Sequence, residues 1–390
     1  MIKNLAKHVI KLRRTIHMNP ELGNQEYATA KMIEHELSAI GIPSRRVGRT
    51  GVVAVLSGNR SAKNSCIAIR ADMDALPVKT QIKTSYASRN AGCMHACGHD
   101  ANMATVLGSA HLLAAERDAL EGKVKFIFQP NEESADGALN LIRNGVLMNP
   151  KVHAILGLHV SPHISSGSIG IKRGAMMAAV DRFTAVIIGE GGHGAYPHEG
   201  KDAIAIAGQI INAFQTLVSR SIDPTEPVVV TIGRIQGGER FNILPARVLI
   251  EGTVRTLSHR LHHEIPKKLE RLVRDYVRAW GGDYTWKYEV LGDTLINDDH
   301  MIKRAVKAAG SVLGSHHIAY LEKPSMGGED FAEYLKHVPG CFVYLGTKKN
   351  KRTSFAWHHP RFDIDEGALI HGARFLARTA RDFLQSNGST

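Results

Sequence analysis

Cysteine is scarce in this chain, 4 in 390 residues, which excludes a disulfide-stapled secreted scaffold. No apolar run approaches the about 20 residues that cross a bilayer, so a membrane span is excluded. The opening stretch MIKNLAKHVIKLRRTIHM lacks the apolar centre of a secretory signal. Its acid-free start leads without a cleavage-like break into a helical pattern, so a reducing cytoplasm is the expected compartment. Aromatic residues make up only 6%, a poor supply of stacking platforms for single-stranded nucleic acid. Cys/His fingers, basic zippers and RNP-like strings are absent too, as are internal repeats.

What the chain does have is ordinary globular composition, 43% apolar and 22% charged, with length for two or three domains. Two features stand out: 49 Lys+Arg against 37 Asp+Glu, giving +12, and 21 His. The charge invites a nucleic-acid or anionic-surface reading and the histidines a metal reading. Most of the excess, +9, falls in residues 1–180, scattered over Lys3, Lys7, Lys11, Arg13, Arg14, Arg45, Arg46, Arg49, Arg60 and Lys63. Only the first helix and the Arg45–Arg49 turn form patches, and no aromatics interleave with them. A solvated basic face is expected, without a nucleic-acid partner.

Residues 2–18 and 26–40 carry amphipathic helical patterns separated by Asn19-Pro20-Glu21-Leu22-Gly23. Short apolar strands are expected at 52–56, 66–71, 124–129 and 154–159, alternating with helices near 101–116 and 136–145, an α/β arrangement. From 181 the order changes to strand 183–188, helix 202–219, strands 228–235 and 247–256, helix 258–280 and strand 284–290. This βαββαβ succession is the split pattern of a ferredoxin-like domain. A helix at 299–313, a strand at 342–345 and a helix at 366–384 then complete the first domain. The expected organisation is therefore a discontinuous α/β catalytic domain, residues 1–180 and 293–390, with an inserted lid domain at 181–292.

The densest chemistry is Cys93-Met94-His95-Ala96-Cys97-Gly98-His99-Asp100. Thiolate and imidazole two residues apart, in a Gly-containing turn entering a helix, suit a borderline-soft divalent ion. The helix N-terminus is expected to lower the Cys97 pKa. Further ligand types recur at strand ends: Asp72 and Asp74, Glu132 and Glu133, His159, and His358-His359 before Pro360. In α/β sheets those ends form the ligand crevice. One such acid is usually a turn or cap residue; four sites beside a Cys/His cluster outweigh that reading. In adjacent Glu132-Glu133 one carboxylate can bind metal while the other takes a proton from the attacking water. Gly189-Glu190-Gly191-Gly192-His193-Gly194 satisfies the dinucleotide fingerprint, but Pro197 and polar residues intervene before the next helix. The loop is better read as presenting His193 or His198 to a substrate.

These residues together resemble the amidohydrolases of the M20 metallopeptidase family, in the subgroup hydrolysing N-acyl amino acids, hippurate and indoleacetyl amino acids. The matching stretches run from Arg14-Thr15-Ile16-His17-Met18-Asn19-Pro20-Glu21-Leu22 through Arg70-Ala71-Asp72-Met73-Asp74-Ala75-Leu76-Pro77 and Met94–Asp100. They continue through Phe128–Glu133, Gly157-Leu158-His159, Gly191–His198, Asn242-Ile243-Leu244-Pro245 and Gly252-Thr253-Val254-Arg255. The last are Gly328-Glu329-Asp330-Phe331 and His358-His359-Pro360.

The resemblance implies two divalent ions (Mn, Zn, Co or Ni), with Cys97 bridging and His99, Glu133, His159 and His358 as further ligands. It implies Glu132 as general base with Asp72 as its paired acid, and Asp74 and His95 as supports around the ligands. His193 is similar to a lid histidine that polarises the substrate carbonyl, and Asn242 and Arg255 lie where the family binds the substrate carboxylate. By analogy the lids pair in a homodimer or homotetramer. The implied reaction is hydrolysis of an N-acyl amino acid to a carboxylic acid and a free amino acid. A dipeptidase or an N-acetyl-diaminopimelate deacetylase of the same family is the alternative enzyme. A basic, metal-stabilised binding protein is the alternative from another class. The chain departs from the family pattern at Asn102, where a His is usual, at Asn131, where Ala is usual, and at Cys93 and His359.

Overall fold

A computed structural model describes residues 4–60 and 65–386, so Ile2, Lys3 and Lys63 lie outside the described residues. The chain divides into two compact units: Met1–Met176, Ile296–Lys323 and Asp330–Thr390 form one, Met177–Leu295 and Pro324–Glu329 the other. In chain order the elements are α1 (Leu5–Met18), α2 (Tyr27–Ala39), β1 (Ser44–Val47), β2 (Gly51–Ser57) and β3 (Cys66–Asp72). Next come α3 (His99–Ala115), β4 (Lys123–Gln129), α4 (Gly137–Arg143), β5 (Ala154–Ser165), β6 (Ile169–Ile171) and β7 (Gly174–Met177). Then follow β8 (Ala179–Ile188), β9 (Gly192–His193), α5 (Ala203–Ser221), β10 (Val228–Gly237) and β11 (Ile243–Leu244). These lead to β12 (Arg247–Thr256), α6 (His259–Ala279), β13 (Asp283–Gly292) and β14 (Leu295–Asn297). The chain closes with α7 (Asp299–Leu313), β15 (Ile318–Tyr320), α8 (Ala332–Leu335), β16 (Gly340–Lys348) and α9 (Leu369–Ser386).

The first unit is built on an eight-stranded mixed sheet of order β1-β2-β4-β3-β5-β16-β6-β15. Its centre is parallel, β3 pairing with β4 on one side and β5 on the other, and β16 with β5. Every residue of β3 is buried, as expected of a parallel strand covered on both faces. Helix α3 is buried from His99 through Ala110 and packs against α1 and α9. Each fully buried Leu, Ile or Phe in this core contributes about 1.5–3 kcal/mol. The parallel register sets Asp72 beside Gln129, so the carboxyl ends of β3 and β4 open on the same edge of the sheet.

The basic residues near the start are not all solvated. Arg13 is buried, with its guanidinium 2.8 Å from Asp100, 3.2 Å from Asp363 and 3.3 Å from Glu366. Arg14 pairs with Glu366 at 2.6 Å. The expected face is thus partly an internal clamp from α1 to α3 and the loop before α9. Arg45 and Arg46 lie in the edge strand β1 rather than a turn, and Arg46 meets Glu34 at 2.6 Å. Charge on an edge strand discourages pairing with other chains.

In the second unit the succession β8-α5-β10-β12-α6-β13 folds into one antiparallel sheet of order β10-β12-β8-β13, a ferredoxin-like arrangement. Asp202 caps α5 through the amides of Ile204 and Ala205, and Ser258 caps α6. Ile206, Ile210 and Phe214 of α5, with Leu261, Ile265, Leu269 and Val273 of α6, form apolar stripes in the core. Gly252 is required where β12 crosses the sheet: a Cβ there would stand 2.3 Å from the Thr231 carbonyl oxygen and 2.4 Å from the Phe183 ring.

One polar group is sealed into this unit. His262 Nε2 lies 2.9 Å from Asp181, which also accepts from the Tyr288 hydroxyl at 2.7 Å, and Asp293 is 3.5 Å from His262 Nδ1. Hydrogen bonding to Asp181 and Asp293 raises the His262 pKa from 6.5 to about 9. The stability this lends is fully present below about pH 6.5 and is lost as pH rises through about 9. The urea midpoint of the wild type should therefore fall between pH 7 and 9.5 more steeply than that of His262→Gln. Parallel profiles would refute this.

Candidate functional site

Four of the segments singled out in the sequence converge at the carboxyl edge of the parallel strands. The turn before α3 brings Cys97 and His99, the turn after β4 brings Glu132 and Glu133, β5 brings His159, and the loop after β16 brings His358. Two triads of donor atoms, each within 4.8 Å of one another, share the Cys97 sulfur: Cys97, His99 and His159, and Cys97, Glu133 and His358. A third joins His99, Glu132 and Glu133 within the same limit. The shared atom is what a thiolate bridging two ions requires.

Backbone geometry makes this possible. Gly98 precedes α3 with φ +99°, and a Cβ there would stand 2.3 Å from Val160. His358 (φ +66°) and Asn131 (φ +58°) both occupy the left-handed region. Such strain concentrates at working sites, and Asn tolerates the left-handed region better than most residues. His358 is pinned by its amide, which donates to the Ala96 carbonyl at 2.8 Å.

Hydrogen bonds also orient the imidazoles. His99 Nδ1 faces the Asp74 carbonyl oxygen at 2.8 Å, and His159 Nδ1 faces that of Val160 at 2.8 Å. Donation through Nδ1 leaves each Nε2 lone pair for the cluster, where His159 Nε2 is 3.5 Å from the Cys97 sulfur. Burial lowers the His159 pKa to about 4, so this ring is neutral at neutral pH and its lone pair is free to ligate.

The carboxylates are held apart by their surroundings. Burial alone would raise the Asp72 pKa, but His99 and Arg70 bring it to about 2. Asp72 accepts from Arg70 at 2.8 Å and from the Asn102 side chain at 2.8 Å. The Asp74 carboxylate accepts the backbone amides of Glu132 and Glu133 at 3.1 and 3.0 Å, which fixes the turn. Glu133 stands 3.4 Å from His358 Nε2 and 3.9 Å from His99 Nε2.

The donor set fits a pair of divalent ions. His99 Nε2 and Glu133 Oε1 are buried and find no hydrogen-bond partner among the described residues. The Cys97 thiol is pushed well above its ordinary value by burial and by Glu133. The expectation that the helix N-terminus lowers the Cys97 pKa is thereby corrected, because desolvation and a neighbouring carboxylate outweigh it. A cation is the compensation such a thiolate needs.

Among the other expected residues, His95 is buried near His99 and Asp100, but neither ring nitrogen has a partner among the described residues; burial lowers its pKa to about 4. In the second unit His193 is exposed, and β9 pairs His193 with Ile243 while the Gly194 amide donates to the Asn242 carbonyl. His193 and Asn242 are therefore neighbours. Arg255 is not with them: it lies eight residues along β12 from Arg247, the residue opposite Ile188, a run of about 27 Å.

One group went unassigned in the sequence. Arg70, fully buried in β3, reaches Asp72, the Gln129 side chain at 2.9 Å and Asp330 at 2.8 Å. Its signal was an Arg inside an otherwise apolar strand, two residues before an acid on the same face.

Residues 68–382 match the family model described as Peptidase family M20/M25/M40. The chain is similar to the N-acetyl-L-cysteine deacetylase of Bacillus subtilis (strain 168), 39% identical over 391 residues, covering 99% of this chain and 90% of that protein. It is 35% identical to the IAA-amino acid hydrolase ILR1-like 4 of Arabidopsis thaliana, covering 96% of this chain and 86% of that one. A crystal structure of a Bacillus subtilis dinuclear metal binding peptidase from the M20 family superposes with TM-score 0.86 at 37% identity, covering 99% and 100% of the two chains.

The role of Asp74 is open to direct measurement. Asp74→Asn turns an amide donor toward one of the two N–H groups that the carboxylate now satisfies. We expect it to lower the unfolding free energy by about 2–3 kcal/mol. An unchanged urea midpoint would sink that account.

Proposed function

Because the chain belongs to peptidase family M20/M25/M40, we propose that its first unit hydrolyses the amide bond of N-acyl amino acids, releasing a carboxylic acid and a free amino acid. The observation that carries the reading is the pair of donor triads sharing the Cys97 sulfur, with Glu132 beside them. The relatives named for deacetylation of N-acetyl-L-cysteine and for hydrolysis of IAA-amino acids support the substrate class.

In this reading Cys97, His99 and His159 would hold one ion, and Cys97, Glu133 and His358 the other. Bound divalent ions supply Lewis acidity toward the amide carbonyl and acidify the attacking water. Glu132 takes the proton of that water and returns it to the leaving amine. Asp74, gripping the amides of Glu132 and Glu133, keeps the base and its neighbouring ligand in register. Asp72, kept ionised beside Arg70, holds charge next to His99 and strengthens it as a donor. The lid role of residues 181–292, and of His193 within it, rests on the resemblance and on the exposure of its Gly-rich loop.

The second unit also suggests self-association. Its sheet ends on β10, where Val229 and Ile235 are exposed, and Phe241 and Ile243 follow in the adjoining segment, also exposed. An unpaired apolar edge of this kind is suited to pairing with its copy. The proposed assembly is a homodimer or homotetramer through that edge.

Two tests follow. Metal-reconstituted protein, assayed on N-acetyl, N-benzoyl and indoleacetyl amino acids and on dipeptides, should cleave the acyl amino acids. Glu132→Gln should lose at least about 10²-fold in turnover with its metal content unchanged; near-normal turnover would remove Glu132 from the role. In sedimentation experiments Ile235→Lys should shift the protein toward monomer, whereas a monomeric wild type contradicts the assembly.

A further inference from the structure

Outside the catalytic cluster, three helices bring a second set of ligand atoms together. His8 of α1 and His111 of α3 both direct Nε2 at one oxygen of Glu36 on α2, at 2.5 and 2.6 Å. The two rings meet edge to face, centroids 5.2 Å apart. The donor atoms all lie within 4.8 Å of one another. None of the three side chains is more than 23% exposed. Among the described residues, no Lys or Arg pairs with Glu36. A largely desolvated carboxylate is usually matched by a permanent cation; this one faces two imidazoles.

From this geometry we propose that His8, Glu36 and His111 form a separate binding site for a divalent transition ion of the zinc class. Two imidazole nitrogens and a carboxylate oxygen are a donor set zinc accepts, with solvent completing the shell on the His8 side. Donors at about 2.0–2.2 Å from a tetrahedral ion stand roughly 3.3 Å apart. The present contacts therefore open by less than about 1 Å when an ion takes the place of the Nε2 protons. Side-chain rotation of the partly exposed His8 and Glu36 supplies that movement. The ion would join α1 and α2 to the helix that begins with His99, at a site whose ligands share no residue with the catalytic triads.

The test counts zinc. Wild type, His8→Gln and Glu36→Gln are stripped with chelator, dialysed against buffered zinc at pH 7.5, and their zinc per chain measured alongside circular dichroism. Each variant should bind one zinc fewer than wild type, keep its helical signal, and keep amide hydrolysis within about twofold. Because His8 is partly exposed, its replacement disturbs little packing, and Glu36→Gln gives an independent reading. Equal zinc content in wild type and both folded variants overturns the site. If instead the catalytic cluster fails as a metal centre, wild type binds a single zinc that both variants lose, so the two failures are distinguishable.

Discussion

The buried guanidinium of Arg70 is the constraint around which the catalytic edge is organised. A cation with no access to water must be matched on every side, since an unpaired partner costs several kcal/mol. Asp72, Gln129 and Asp330 meet that demand, each within 2.9 Å. In doing so they tie together the end of β3, the end of β4 and the segment entering α8. Asp330 in turn accepts from Gln129 and from the Ala138 amide at the start of α4. The glutamates that follow β4 therefore emerge from a strand whose last residue is locked to its neighbours. Burial raises the Asp330 pKa to about 6 despite Arg70, while Asp72, with His99 also beside it, is lowered to about 2. The same cation faces two acids, and the His99 imidazole beside Asp72 decides which is the firmer anion.

From that anchor the preorganisation spreads through acceptors that are mostly backbone. His99 and His159 spend their Nδ1 protons on carbonyls, and the Glu132-Glu133 turn spends its amides on Asp74. Ring flips and turn rearrangements would break these bonds, so the ligand atoms remain aimed at one point. The thiol is the member that the protein alone does not prepare. Burial and Glu133 oppose its ionisation, and the helix terminus does not overcome them. A metal-free site with a protonated Cys97 and a loaded site with a thiolate are thus two electrostatic states of one scaffold.

Much of this was legible in the sequence because it depends on local order. Apolar strands ending in acids or His announce the carboxyl edge, and a Cys-Gly-His turn before a helix announces ligands. The βαββαβ succession likewise needs only periodicity and turns. What escaped depends on distant partners. Arg13 reads as one more surface cation until Asp100, Asp363 and Glu366 are brought to it. The short strands β1, β6 and β15 have three or four residues each, too few for a period, and exist because the sheet supplies neighbours. Asn242 and Arg255 are associated only by the resemblance, and the length of β12 separates Arg255 from the end that leads to Asn242.

The departure at Asn102 shows how one substitution can be absorbed. A histidine there would titrate and carry a single donor and a single acceptor in its neutral form. Asn102 donates to Asp72 at 2.8 Å and accepts from the Val160 amide at 3.0 Å. Both contacts are independent of pH in the range where imidazole changes charge. The residue thereby joins the end of β3 to β5 immediately beyond His159, and does so without adding positive charge next to His99. With His99 beside it and Arg70 on its other oxygen, Asp72 keeps its lowered pKa, and Asn102 adds a hydrogen bond without adding charge. At this position the amide side chain serves as a bridge between two strands.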